Sequence, residues 1–287
     1  MQSNNPVFRR SEEFQRSGAN AYGNQTYPGN GGGYPGYGQQ SDPSTWGTGT
    51  PGTPTSIDQG RMTIDSVVQK TGISLAVVIL AALATWVLTD DITPETGISG
   101  GLLLAVMVGS LGAFALSMVN SFKRVVSPAL VLAFCVLEGI ALGSLSKMFD
   151  AQFGEGVVSG AVIGTFGAFA GTLAAYKFFN IKVGTKFRMF VIAAVFGMVG
   201  LSLMELVLSM FGASVGLFGF GTLGMLTAIA GLVLGVFMLI LDFDFVEQGI
   251  ANQIPERESW RAAFAMTVSL VWIYTNLLRL LAIFSSD

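Results

Sequence analysis

The 287-residue chain is 51% hydrophobic and 11% charged, against roughly 25% charged in a soluble domain, and its net charge is −3 at pH 7. A sequence pI near 5.0 argues against a nucleic-acid partner. The sequence has no histidine and one cysteine, Cys135, which excludes an intrachain disulfide and Cys/His zinc or haem ligation. No cofactor is expected.

Residues 1–60 differ in kind from the rest. Gly, Pro, Ser, Asn and Gln dominate from Ser17 to Thr55, with Tyr22, Tyr27, Tyr34 and Tyr37 set among glycines. Such a stretch buries too little apolar surface to offset its ordering entropy, which predicts a disordered tail. A tyrosine-rich segment for self-association is the other reading. No apolar run follows Met1, so a cleaved secretory signal is not expected.

Residues 61–287 read as a membrane domain. A spanning helix needs about 20 mainly apolar residues. Seven such runs follow in order: Gly72 to Leu88, Ile98 to Asn120, Pro128 to Ser146, Gly156 to Tyr176, Met189 to Phe211, Gly221 to Leu241 and Ala262 to Phe284. The fold class is therefore all-α, with seven transmembrane helices in a lipid bilayer.

Short-loop Lys and Arg mark the cytoplasmic side. Arg61 and Lys70 precede helix 1, Lys123 and Arg124 follow helix 2, Lys177, Lys182, Lys186 and Arg188 follow helix 4, and Arg257 and Arg261 precede helix 7. The other loops carry Asp90, Asp91 and Glu95, then Lys147 with Asp150 and Glu155, then no charge from Gly212 to Phe220. This alternation predicts a multi-pass protein with a cytoplasmic N-terminus and a C-terminus outside; the plasma (inner) membrane is the membrane expected.

Helix 4 carries Gly160, Gly164, Gly167 and Gly171, and helix 3 carries Gly139 and Gly143. Small residues four apart let helix backbones approach closely in lipid. Packing within one bundle is the plainer reading; homodimerisation through helix 4 is the other.

Few ionisable residues fall within the spans: Glu138 in helix 3, Glu205 in helix 5, Asp242 at the end of helix 6 and Arg279 in helix 7. A charge in hydrocarbon is costly and marks a functional position unless it is paired. Such groups could relay protons or guide a cation. The plainer alternatives are a hydrogen-bonded Glu138 and an Arg279 that snorkels to the interface. Asp244 reads as part of a solvated acidic loop with Glu247, Glu256 and Glu258. That loop lacks the spacing of an EF-hand, so it is weak evidence for calcium, and the metal assignment stays open.

Three patterns combine: Glu-Gly-Ile-Ala-Leu-Gly from 138 to 143, Leu-Asp-Phe from 241 to 243 and Leu-Leu-Arg-Leu-Leu from 277 to 281. In a seven-helix protein they resemble the Bax inhibitor family, and the run Ser3 to Arg10 resembles a bacterial subgroup of it. The resemblance implies six helices around a central, C-terminal seventh and a pH-sensitive calcium leak. It also implies an aspartate pair, one on helix 6 and one on helix 7, that shares a proton and biases closed against open forms. Asp242 matches the first member. The second falls about ten residues before Arg279, on Ser269, which cannot ionise; neither can Asn276, the other polar candidate. A two-acid switch would then need Asp244 or Glu138, and otherwise Asp242 and Ser269 form a single-acid latch.

Two functions follow as expectations. One is a cation leak with Asp242 as the gate and Glu138 and Glu205 along the route. The other is a non-transporting regulator that binds other membrane proteins, such as quality-control proteases. An intramembrane enzyme is not expected. A serine mechanism lacks its histidine base, and Asp242 and Asp244 sit two apart on one segment, pointing to different sides of a helix.

Overall fold

The computed structural model describes residues 60–93, 97–154, 156–179 and 181–286. The chain divides into Met1–Gly60 and Arg61–Asp287. The sequence-based reading of the tail as disordered or self-associating falls outside the described residues.

Arg61–Asp287 forms seven helices, each long and apolar enough to cross a membrane. They are α1 (Ile64–Leu88), α2 (Gly100–Phe122), α3 (Pro128–Phe153), α4 (Val157–Phe178), α5 (Thr185–Met210), α6 (Thr222–Ala251) and α7 (Ser259–Ser285). A 3-10 turn, Glu256–Glu258, leads into α7. Among the described residues there is no strand beyond the isolated bridges Arg61–Pro255 and Thr93–Gly97.

Several helices outrun the apolar segments that announce them. Hydropathy ends at the first charge, whereas a helix ends where its backbone bonds or its buried face give out. Helix α6 continues ten residues beyond Leu241, because Leu239, Phe243 and Val246 keep a buried stripe at i, i+4 and i+7 and no proline intervenes before Pro255. Asp244 therefore belongs to α6 and is only 7% exposed, which corrects its reading as a solvated loop residue. Lys147 and Asp150 similarly lie in α3, and Lys186 and Arg188 in the first turn of α5.

Helix α1 begins at a capping box, in which Thr63 and Ser66 each accept the other's backbone N–H at 3.1 Å. Such reciprocal caps satisfy donors that the first turn leaves free. Ser66 also meets Ser259 Oγ at 2.7 Å, and Lys70 pairs with Glu256 at 2.9 Å. The starts of α1 and α7 thus share one face of the bundle, called the near face below. On the opposite, far face, Lys147 of α3 donates to Trp86 O (2.9 Å) and Thr89 O (2.6 Å), closing the carbonyl end of α1.

Helix α7 is the central element, packed against α1, α3, α4 and α6. The core around it comprises Phe134, Cys135 and Leu142 of α3, Ala161 of α4, and Tyr274, Leu278 and Ala282 of α7. The outer helices α2 and α5 join the ring chiefly through α3 and α6. Only Val191 of α5 is buried.

Glycines decide the closest approaches. A Cβ on Gly139 would lie 2.6 Å from Ala81 Cβ, and one on Gly143 would lie 2.8 Å from Ala82 Cα, so α3 rests backbone to backbone on α1. In α4 the four glycines divide: Gly160 and Gly164 face Leu281 and Leu277 of α7, whereas Gly167 and Gly171 have nothing within 4 Å. Packing within the bundle thus draws on the first pair, while the second faces no neighbour within the chain, because one helical stripe can turn past its neighbour before it ends.

Candidate functional site in the α6/α7 seam

A row of polar side chains lines the contact between α6 and α7, which run antiparallel. Asp242 is partly buried, and its Oδ2 accepts a hydrogen bond from Ser269 Oγ at 2.6 Å. Ser269 is 1% exposed. It lies ten residues into α7, about 15 Å along the axis, so the pair sits within the length of both helices and not at their ends. An acid there needs a partner, and the partner supplied is a hydroxyl.

Moving toward the far face, Trp272 Nε1 donates to Gly231 O at 2.8 Å. One turn on, Asn276 Nδ2 donates to Trp272 O at 2.8 Å, and its amide fills the space a side chain on Gly231 would need. Arg279 Nη2 then donates to Thr227 Oγ1 at 3.1 Å. Ser269, Trp272, Asn276 and Arg279 follow helical spacing, so α7 turns one polar stripe toward α6. The glycines opposite let the two backbones approach.

The other sequence-selected charges go elsewhere. Asp244 points away from Asp242 and accepts from Arg188 Nη2 of α5 and from Gln248 Nε2, both at 2.7 Å. Glu205 accepts from Val215 N (3.2 Å) and Gly216 N (2.8 Å), pinning the α5–α6 loop. Neither stands beside Asp242. Glu138 forms no hydrogen bond or ion pair with a described residue, although it lies in α3 between Phe134, which meets Phe264 of α7 edge-on at 5.0 Å, and Ser146, which meets Tyr274 at 2.6 Å. These contacts place it level with the α7 stretch that holds Ser269. Positions 264 and 274 lie about 140° around α7 from 269, so Glu138 and Asp242 occupy different sides of the central helix.

Ser269 is the bonded partner of Asp242, and a second carboxylate is not. Among the described residues no three His, Cys, Asp or Glu gather as a metal site. Sequence reasoning missed Arg188, Trp272, Thr227 and the Tyr176–Glu247 bond at 2.6 Å. A tryptophan three positions after Ser269 and a threonine four before Gly231 were signals of a polar stripe. Arg188 gave no such signal while it counted as a loop residue.

Seven apolar helices with charged groups held between them define an integral, multi-pass membrane protein. Residues 5–286 match the family described as Bax inhibitor 1 like, and the chain belongs to that family. It is also similar to an uncharacterized protein of Chlamydia muridarum (strain MoPn / Nigg), with 28% identity over 163 residues. That match covers 55% of this chain and 65% of the relative, so the chain spans just under two-thirds of the relative's length.

Proposed function

We propose that this protein is a pH-sensitive leak pathway for cations, calcium among them, in which Asp242 and Ser269 form a single-acid latch between α6 and α7. The observation that carries the reading is the 2.6 Å bond between them, joining two membrane-length helices, in a chain of the Bax inhibitor family. Protonation of the carboxyl changes what it asks of its surroundings: an acceptor of hydrogen bonds becomes a donor as well. That change alters the balance between a closed α6/α7 pair and a parted one. Among the described residues no charged group is bonded to Asp242; the acid beyond it, Asp244, is bound to Arg188 and Gln248. In this reading the cation follows the α3 side of α7, where Glu138 has no hydrogen-bond or ion-pair partner among the described residues, because Arg279 on the far half of the seam would repel it; the latch acts on that route through α7, the helix that both sides share. The near face is cytoplasmic, in keeping with Lys70, Arg124, Arg188, Arg257 and Arg261, which cluster at that end. The membrane is the plasma (inner) membrane, and no catalytic role is assigned.

The test is calcium uptake into liposomes that carry the purified chain, with Asp242→Asn and Glu138→Gln as variants. Uptake above that of protein-free liposomes, altered in both variants, supports the reading. Absence of uptake in the wild type rejects it.

A second reading is a regulator that binds other membrane proteins such as quality-control proteases. It draws on α5, which leaves all but one stripe uncovered, with Phe190, Phe196 and Leu203 exposed. Crosslinking of the full chain in membranes, repeated with Phe196→Ala and Leu203→Ala, discriminates: a specific partner lost in both variants supports it, and unchanged crosslinks reject it.

A further inference from the structure

The segment that joins α4 to α5 at the near face is basic, aromatic and free of acids. From Lys177 to Arg188 it contains no Asp or Glu. Phe178 and Phe179 are 82% and 79% exposed, and Lys177, Lys182 and Lys186 are exposed beside them. Other near-face cations have acids of their own: Lys70 pairs with Glu256, Arg188 with Asp244 and Arg261 with Glu258. Lys177, Lys182 and Lys186 pair with no acid among the described residues. Their charge is open to something outside the chain.

Lysines alone would suit any polyanion, but the phenyl rings narrow the choice. Phe179 N donates to Ala175 O at 3.0 Å and Ile181 N to Tyr176 O at 3.2 Å, so the chain turns back directly after α4. Both rings therefore stand at the end of an apolar helix of membrane length, the level at which acyl chains meet headgroups. A lysine at that level lays its stem along apolar surface and puts its ammonium among the phosphates. Attraction to an anionic leaflet then strengthens binding by a factor of about five per lysine. A lipid surface of negative charge fits both the rings and the cations; a soluble acidic protein fits only the cations.

Both ends of this loop are tied to α6 just beyond Asp242. At one end Tyr176 Oη donates to Glu247 Oε2 at 2.6 Å, and its ring centre lies 5.7 Å from that of Phe243. At the other end Arg188 Nη2 donates to Asp244 Oδ2 at 2.7 Å. The two ties fall within about one turn of one helix. We propose that the α4–α5 loop senses anionic lipid: Lys177, Lys182 and Lys186 bind headgroup phosphates, Phe178 and Phe179 enter the acyl boundary, and Tyr176 and Arg188 pass the occupancy to the near end of α6.

The full chain is placed in phosphatidylcholine nanodiscs with a stepwise rising fraction of phosphatidylglycerol at fixed pH, and backbone hydrogen exchange is followed by mass spectrometry. Exchange over 177–188 and 243–251 should slow saturably as phosphatidylglycerol rises, and the effect should shrink in high salt. In the triple variant Lys177→Gln, Lys182→Gln, Lys186→Gln the half-saturating fraction should rise about fivefold or more, or saturation should not be reached. Lys182→Gln alone should move it in the same direction. Tyr176→Phe and Glu247→Gln each cut one tie and keep every loop cation, so 177–188 should respond as before while the response of 243–251 weakens. Poly-L-glutamate added to pure phosphatidylcholine nanodiscs probes the other occupant. Protection of the loop by that polymer but not by phosphatidylglycerol would identify an acidic protein partner and overturn the proposal. So would a wild type indifferent to phosphatidylglycerol, an unchanged half-saturation in the triple variant, or a response of 243–251 that both Tyr176→Phe and Glu247→Gln leave intact. No flux is read, so this outcome and that of the leak test are separate.

Discussion

Ser269 Oγ donates to Asp242 Oδ2 at 2.6 Å, joining α7 to α6 between their ends. The donor is 1% exposed, so water does not readily replace it. Ser269→Ala removes the hydroxyl and leaves the acid without its partner, a loss of about 1–3 kcal/mol. Thermal unfolding in detergent should show a lower midpoint for Ser269→Ala, and a smaller change for Ser269→Thr, which keeps the hydroxyl.

The second acid of the Leu-Asp-Phe-Asp stretch has a different job. Asp244 and Arg188 meet at 2.7 Å with side chains 11% and 23% exposed, and they hold the start of α5 to α6. Removing one partner strands the other; such a loss runs to several kcal/mol for fully buried pairs. Partial exposure of Arg188 reduces it to about 2 kcal/mol. Asp244→Leu and Arg188→Met should each destabilise, and the double variant should recover part of the loss in a double-mutant cycle.

Close backbone contact makes a sharper claim about the glycines. Gly139→Ala should destabilise by about 1–3 kcal/mol, because its methyl would meet α1 and overpacking costs about that much. Gly167→Ala faces open space and should leave the unfolding midpoint unchanged or slightly raised. Equal effects at the two positions would refute the packing assignment.

Lys147 tests how the far face is closed. It is 5% exposed and holds two carbonyls at the end of α1, while its ion-pair partner Asp91 has a side chain 89% exposed. Lys147→Met should cost about 1–3 kcal/mol, since it orphans backbone acceptors as well as losing bonds. Asp91→Asn should cost less than about 1 kcal/mol, as exposed pairs contribute little.

The number and order of the helices were legible because apolar runs of membrane length have few other fates. Their ends were not, since the search for charge stopped at Asp242 although the buried face of α6 runs on through Phe243 and Val246. The pairing of a helix 7 residue with Asp242 is what the family resemblance implies, and counting back from Leu-Leu-Arg put that residue at Ser269, a register that a straight helix preserves. Spacing alone could not separate Gly160 and Gly164 from Gly167 and Gly171, because it says nothing about which neighbour stands opposite. Glu205 looked like a rung on a charge ladder, but loop amides that no pattern announced claim its oxygens.

The central claim is that one carboxylate, Asp242, sets the pH response. The most direct measurement is the pH dependence of calcium flux in proteoliposomes for wild type and Asp242→Asn. The account predicts a wild-type curve no steeper than the titration of one proton, as expected of a single acid and not a coupled pair, and a flat response in Asp242→Asn. A steeper wild-type curve, or a pH response that survives in Asp242→Asn unchanged, would contradict it.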